Sequence, residues 1–72
     1  MSEVIYSDHC KKRMMRRGIE EWEIEHVVKY PEYIKKSIDG RKVVVGEAKD
    51  RKIKIVFIEE QNYKKVVSVM FL

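Results

Sequence analysis

The 72-residue sequence has one cysteine, one proline and three glycines, and it contains no long apolar run. A single cysteine cannot form an internal disulfide, and no group of cysteines and histidines has the spacing of zinc ligands. The apolar runs, such as Val43 to Val45, are far shorter than the roughly 18 residues that cross a membrane, and the N-terminus lacks the layout of a signal peptide. We therefore expect one cytoplasmic domain over residues 1–72, with no metal or other cofactor.

Charged residues are abundant, and they are divided unevenly along the chain. The formal net charge is +4; residues 1–18 carry +3, residues 19–32 carry −4 and residues 33–72 carry +5. Two basic regions that meet in space form a surface for a polyanion such as RNA. The alternative is that these charges only keep a small protein in solution.

Hydrophobic spacing predicts two helices in the first half of the chain. Ser7 is a typical N-cap residue and Gly18 a typical residue after a last helical turn, so the first helix covers about residues 8–17. A helical repeat of apolar residues ends before Pro31 and predicts a second helix over about residues 20–30. The short link between them implies a helical hairpin.

Beyond this point apolar residues alternate, which is typical of strands. The alternation predicts four strands, whose short connections favour antiparallel neighbours. These strands cover residues 33–38, 42–48, 52–59 and 65–72, and residues 3–6 could add a short edge strand. We expect an α+β fold in which the helical hairpin packs on a twisted four-stranded antiparallel sheet.

The alternation also assigns side chains to the two faces of this sheet. It places Val67, Val69 and Phe71 beneath the helices and Val66 on the opposite face, which no remaining segment covers. Such a face often contacts another protein, either a second copy or a different partner. The alternative is that long lysine side chains shield it. The residues expected at this partner interface are Val56, Ile58, Met70 and Leu72.

The first predicted helix carries the candidate catalytic residues. His9 and Arg13 lie one turn apart and share a face. Histidine can act as a general base or acid, and arginine can bind a phosphate in two places at once. This pair suits metal-independent RNA cleavage by attack of the 2′-hydroxyl, with Tyr63 in the last predicted turn as a third candidate. The cations expected to bind RNA are Lys11, Lys12, Arg16, Arg17 and Arg41.

Other residues favour structural interpretations. His26 is more typical of a packed or solvated histidine, Trp22 of a core residue or one that locks the hairpin, and Cys10 of a small buried apolar side chain. The same basic helix and open sheet face also suit a non-catalytic RNA-binding or protein-interaction module.

Several segments combine into a pattern: a histidine that opens the helix, Arg13 one turn later, the helix break at residues 17–19, a run of glutamates, and Pro31-Glu32 before the strands. Over nearly the whole chain this pattern resembles the small prokaryotic family called domain of unknown function 4258. That family is similar to the RelE-like ribonuclease toxins, whose fold is a helical pair on a four-stranded antiparallel sheet. The resemblance implies a toxin-like endoribonuclease in which His9, Arg13 and Arg17 match the motif, and it implies an antitoxin protein as a partner.

Overall fold

The structure is a computed structural model that describes residues 3–36 and 40–72. It is an α+β fold with two helices, as the sequence predicts, and five strands. Among the described residues, no helix is both long enough and apolar enough to span a membrane. The elements in chain order are β1 (Glu3–Tyr6), α1 (Asp8–Arg17), α2 (Glu21–Lys29), β2 (Tyr33–Lys36), β3 (Arg41–Ala48), β4 (Arg51–Glu59) and β5 (Tyr63–Phe71).

Both ends of α1 are fixed by local chemistry. At the start, the Ser7 hydroxyl accepts a hydrogen bond from the backbone N–H of Cys10 at 3.1 Å, which satisfies one of the free donors of the first turn. At the other end, Gly18 has a φ of +67°, a conformation that favours glycine, and the N–H of Ile19 donates to the carbonyl of Met14 at 2.9 Å. The helix therefore has the bounds that the sequence predicts.

The sheet corrects the sequence prediction. Its strand order is β1-β5-β4-β3-β2, and β1 pairs in parallel with β5, from Glu3 beside Tyr63 to Tyr6 beside Val66. All other neighbours are antiparallel. The predicted four-stranded antiparallel sheet is therefore wrong: the sheet is mixed and five-stranded. Short turns set the direction of β2 to β5, whereas most of the chain separates β1 from β5 and leaves its direction open.

A bulge in β5 reverses part of the predicted face assignment. Phe57 pairs with Val66 whereas Val56 pairs with Ser68, so Val67 is an extra residue in the ladder. The inserted residue shifts the alternation by one position. Val66 is consequently buried beneath the helices and belongs to the core, and the prediction that Val67 lies there in its place is wrong.

The strand bounds differ modestly from the predicted ones. Tyr63 is the first residue of β5 and not part of the preceding turn. The first strand predicted after α2 covers residues 33–38, and β2 accounts for Tyr33–Lys36 of it. Residues 37–39, with the turn expected at Asp39, lie outside the described residues.

The core lies between one face of the sheet and the two helices. Helix α1 packs over β5, and α2 packs over β3 and β4. The close approach of α2 depends on Gly46, because a Cβ at this position would lie 3.0 Å from Cγ1 of Val27. The residues at the centre of the core are Cys10, Ile24, Val27, Ile53, Ile55, Val66 and Val69.

Candidate functional site

Helix α1 presents five polar side chains on one side, and we call His9, Lys12, Arg13, Arg16 and Arg17 the basic face. Two buried residues, one turn apart, enter the core and set the orientation of the helix, and the basic face lies beside them. The positions of His9, Arg13 and Arg16, at i, i+4 and i+7, fall on one flank. All members are exposed except Arg13, which is half-buried.

The cations of α1 are not neutralised within the part of the chain that the structure describes. None of them lies within 4.0 Å of a carboxylate oxygen there. Two carboxylates at the start of α2 pair instead with residues at the β3–β4 connection: Glu20 with Lys49 of the turn at 2.6 Å and Glu23 with Arg51 of β4 at 2.8 Å. The positive charge of α1 therefore remains available to an external anion.

Three of the residues predicted for catalysis or RNA binding lie outside the basic face: Lys11 lies on another side of α1, beside the start of α2, and Tyr63 and Arg41 lie on the opposite face of the sheet. On β5, Lys64 faces the helices, because its Nζ lies 5.9 Å from the ring centroid of Phe57. Side chains alternate along a strand, so Tyr63 points away from the helices. Arg41 pairs with Ile58, the neighbour of Phe57, and also points away. The structure thus places His9 and Arg13 on one flank of α1 and does not bring Tyr63 or Arg41 to them.

The face of the sheet away from the helices, which we call the outer face, holds most of the expected partner interface. Val56, Ile58 and Met70 lie on it and are half-buried. Leu72 follows β5 and is exposed. Arg41, Ile58 and Lys65 form one row across three strands, so basic residues border the apolar ones on this face.

An open groove of about 550 Å³ lies between α1 and the start of α2, and we call it the hairpin groove. Met15 and Lys11 form its α1 wall, Trp22 and Glu21 form its α2 wall, and Tyr6 lies at its floor. Sequence reasoning did not predict this groove, although Met15 follows the core residue Cys10 by five positions. The helical spacing does contain the signal, since five residues from Cys10 correspond to 140° around the helix.

Tyr6 connects β1 to the second helix at the floor of the hairpin groove. Its hydroxyl donates a long hydrogen bond of 3.5 Å to the backbone carbonyl of Glu21. Burial raises the pKa of Tyr6, and the negative charges of Glu25 and Glu21 raise it further. The hydroxyl therefore keeps its proton and remains a donor at neutral pH.

Trp22 occupies a fixed position on the groove wall. Its indole Nε1 donates a hydrogen bond to the Glu20 carboxylate at 2.9 Å, and the Lys49 ammonium lies 5.5 Å from its ring centroid. The ring is 49% exposed. These contacts join Trp22 to Glu20 and to the turn that contains Lys49, and its exposure shows that it is not a core residue; that it locks the hairpin stays a prediction.

One ion pair lies at the junction of the two helices and the sheet. The Glu23 side chain is fully buried, and its carboxylate accepts hydrogen bonds from Arg51 at 2.8 Å and from the Glu20 N–H at 2.8 Å. Arg51 also donates to the carbonyl of Gly18 at 3.3 Å, and its guanidinium stacks 4.6 Å from the ring of Phe71. This network joins α1, α2, β4 and β5.

The remaining candidates take structural positions. Cys10 is fully buried, and burial raises the pKa of its thiol, with the positive charge of Arg13 acting in the opposite direction. His26 is exposed and packs against Tyr30, with ring centroids 5.5 Å apart. Within residues 3–36 and 40–72 there is no group of three or more His, Cys, Asp or Glu side chains that could hold a metal ion.

Comparison with known proteins identifies one family. The model of the family described as "Domain of unknown function (DUF4258)" matches residues 6–71, which is nearly the whole chain. No curated protein and no solved structure matches the chain significantly.

Proposed function

The chain belongs to the family described as Domain of unknown function (DUF4258), and we propose from its geometry that it binds single-stranded RNA through the basic face of α1. The observation that carries this proposal is the lack of neutralisation: α1 holds four cations on this face, and its only acidic residue is Asp8 in the first turn. A row of unpaired cations on a rigid helix can neutralise successive phosphates of one strand.

The proposal is tested by the salt dependence of RNA binding. Each phosphate that is neutralised releases a counterion and contributes about −0.7 to the slope of log affinity against log salt for a single strand. We expect Arg16→Ala to make this slope less steep by about one contact. Fluorescence anisotropy of a short labelled RNA, titrated at several salt concentrations, measures the slope.

Lys29→Ala provides the matched control for this experiment. It removes the same charge from α2, where Lys29 is exposed and outside the basic face. We expect its slope to equal that of the wild-type protein. If Arg16→Ala and Lys29→Ala change affinity and slope equally, the protein binds RNA only through its overall charge, and the basic face is not a site. Equal binding of DNA of the same sequence would remove the preference for RNA.

Cleavage of the bound RNA is a second candidate function, and the pairing of His9 with Arg13 on one flank of α1 supports it. His9 could remove the proton of a 2′-hydroxyl, and the guanidinium of Arg13 could stabilise the charge that develops on the attacked phosphate. This is the activity that the resemblance to RelE-like toxins implies. Tyr63 lies on the other face of the sheet, so the protonation of the leaving oxygen must come from His9 or from water.

Cleavage makes a prediction that binding alone does not. In excess EDTA, wild-type protein should leave 2′,3′-cyclic phosphate ends on RNA, and His9→Ala should lower the rate about 100-fold. Arg13→Ala should slow cleavage more than it weakens binding, because its charge faces the reacting phosphate. His26→Ala, which alters the exposed histidine of α2, is the control and should cleave at the wild-type rate. RNA that stays intact with all four proteins would leave binding as the function.

A protein partner is the third possibility, and the charge of the outer face supports it. Lys35, Arg41, Lys54 and Lys65 lie on this face around half-buried apolar residues. An acidic protein, such as the antitoxin that the resemblance implies, would complement this charge. Such a partner contacts the sheet and leaves the basic face of α1 free, so a domain saturated with it should still bind RNA.

A further inference from the structure

Two exposed apolar side chains of the helices lie together in the hairpin groove. Met15 on the α1 wall is 85% exposed and Trp22 on the α2 wall is 49% exposed, whereas Val56, Ile58 and Met70 on the outer face are half-buried. Exposed tryptophan and methionine at the same concave surface are typical of an interface between proteins. The groove therefore needs a specific occupant.

The charges beside the groove are complementary to each other. Lys11 stands on the α1 wall and Glu21 on the α2 wall, and neither belongs to an ion pair with another described residue. The two helices as a whole also differ in charge. Helix α1 carries five basic residues and one acidic residue, and α2 carries three acidic residues and one lysine. A surface that combines a basic wall and an acidic wall complements a rotated copy of itself.

We propose that a second copy of this chain occupies the hairpin groove and forms a two-fold symmetric dimer. In a two-fold interface each contact occurs twice, because residue i meets residue j of the partner and residue j meets residue i. Met15 and Trp22 of each chain pack against the same residues of the other chain. Lys11 of each chain then lies beside Glu21 of the other, so both walls are neutralised.

The dimer is compatible with RNA binding because the two surfaces lie on different flanks of α1. Lys11 and Met15 are one turn apart on the flank that borders the groove, and His9, Arg13 and Arg16 lie on the other flank. The proposed dimer therefore leaves His9, Arg13 and Arg16 of both chains free. It goes beyond RNA binding and does not depend on it, since the oligomeric state is measured without RNA.

Sedimentation velocity over about a hundred-fold range of protein concentration tests the proposal, because the dimer fraction must rise with concentration. We expect Met15→Lys to weaken the dimer about tenfold or more, as the loss of a central apolar contact does in other interfaces. Ile34→Lys is the control: Ile34 is 61% exposed on β2, outside the groove, and its replacement should leave the dimer unchanged. Both positions are exposed, and thermal unfolding verifies that each variant folds.

Charge reversal determines whether the pair forms between chains. Lys11→Glu alone and Glu21→Lys alone should each weaken the dimer, because each places like charges together at both copies of the contact. An equimolar mixture of the two variants should associate about as well as wild type, since a mixed dimer restores both pairs. An intramolecular pair across the groove would give no recovery on mixing.

Three results would overturn the dimer proposal. The first is a wild-type protein that remains monomeric over the whole concentration range. The second is a dimer that Met15→Lys leaves intact and Val56→Lys disrupts, which would move the interface to the outer face. The third is a mixture of the two charge-reversed variants that associates no better than either variant alone.

Discussion

Arg51→Met lowers the free energy of unfolding by about 3 kcal/mol, because it leaves the fully buried carboxylate of Glu23 without its charged partner. We expect the lower end of the usual range for a broken buried pair, since the Arg51 side chain is 34% exposed and water screens part of the interaction. Urea unfolding followed by circular dichroism measures the loss.

Lys52→Met is the control for this prediction. Lys52 neighbours Arg51 in sequence, and its ammonium lies 3.8 Å from the Glu32 carboxylate at the surface. Removing such an exposed pair changes stability by about 1 kcal/mol or less. The double variant Glu23→Gln/Arg51→Met should recover part of the loss, because no unpaired charge remains buried. A double variant less stable than Arg51→Met would contradict this explanation.

The ion pair between Glu23 and Arg51 also makes the stability of the protein depend on pH. Burial acts to raise the pKa of Glu23, but the hydrogen bonds from the Glu20 N–H and from Arg51 outweigh it and hold the pKa below its ordinary value. A carboxyl group with a lowered pKa in the folded state stabilises the protein above its ordinary pKa, and this stabilisation is lost as the pH falls through the folded-state pKa. The difference in stability between wild type and Arg51→Met should therefore shrink in acid.

Ile24→Ala should have a comparably large effect, a loss of about 2–5 kcal/mol in the free energy of unfolding. Ile24 is fully buried between α2 and the sheet, so its truncation removes apolar contacts and leaves a cavity in a core that contains few large side chains. A domain of this size has a small reserve of stability. The variant should be largely unfolded at temperatures at which wild type is folded, as a thermal melt would show.

His26→Ala separates burial from helix propensity in this experiment. Both substitutions place alanine in the same helix, and alanine is the strongest helix former. His26 is exposed, so its replacement should change stability by about 0.5 kcal/mol or less. If Ile24→Ala proves as stable as His26→Ala, the packing of α2 on the sheet does not hold the fold together.

Sequence reasoning located the elements whose ends depend on near neighbours. The Ser7 cap, the left-handed Gly18 and the change of period after Pro31 are local signals, and both helices follow from them. Sequence reasoning failed for features that depend on residues far apart in the chain. The pairing of β1 with β5 and the bulge at Val67 have no local signal, because a strand's neighbour and register depend on the rest of the sheet.

The positions of the candidate site residues divide in the same way, into those that follow from local geometry and those that depend on distant strands. The relation between His9 and Arg13 follows from helical geometry alone, and the structure keeps them on one flank of α1. The positions of Tyr63 and Arg41 depend on which face of the sheet each side chain takes, and that is fixed only by pairing with β1 and β4. The ion pair between Glu23 and Arg51 joins residues 28 positions apart. The sequence offers many other pairs of acidic and basic residues, so it does not indicate this one.

The place of β5 within the sheet determines the order in which the molecule can be assembled during synthesis. Of the described elements β5 is made last, yet it lies between β1 and β4 and supports α1. While the ribosome is still adding residues 63–71, β1 has no strand beside it, and the apolar side of α1, with Cys10 and Met14, has no surface to cover it. Contacts between the two ends of a chain also form slowly, because a long loop must close first. The N-terminal third therefore cannot complete its packing until β5 has been made.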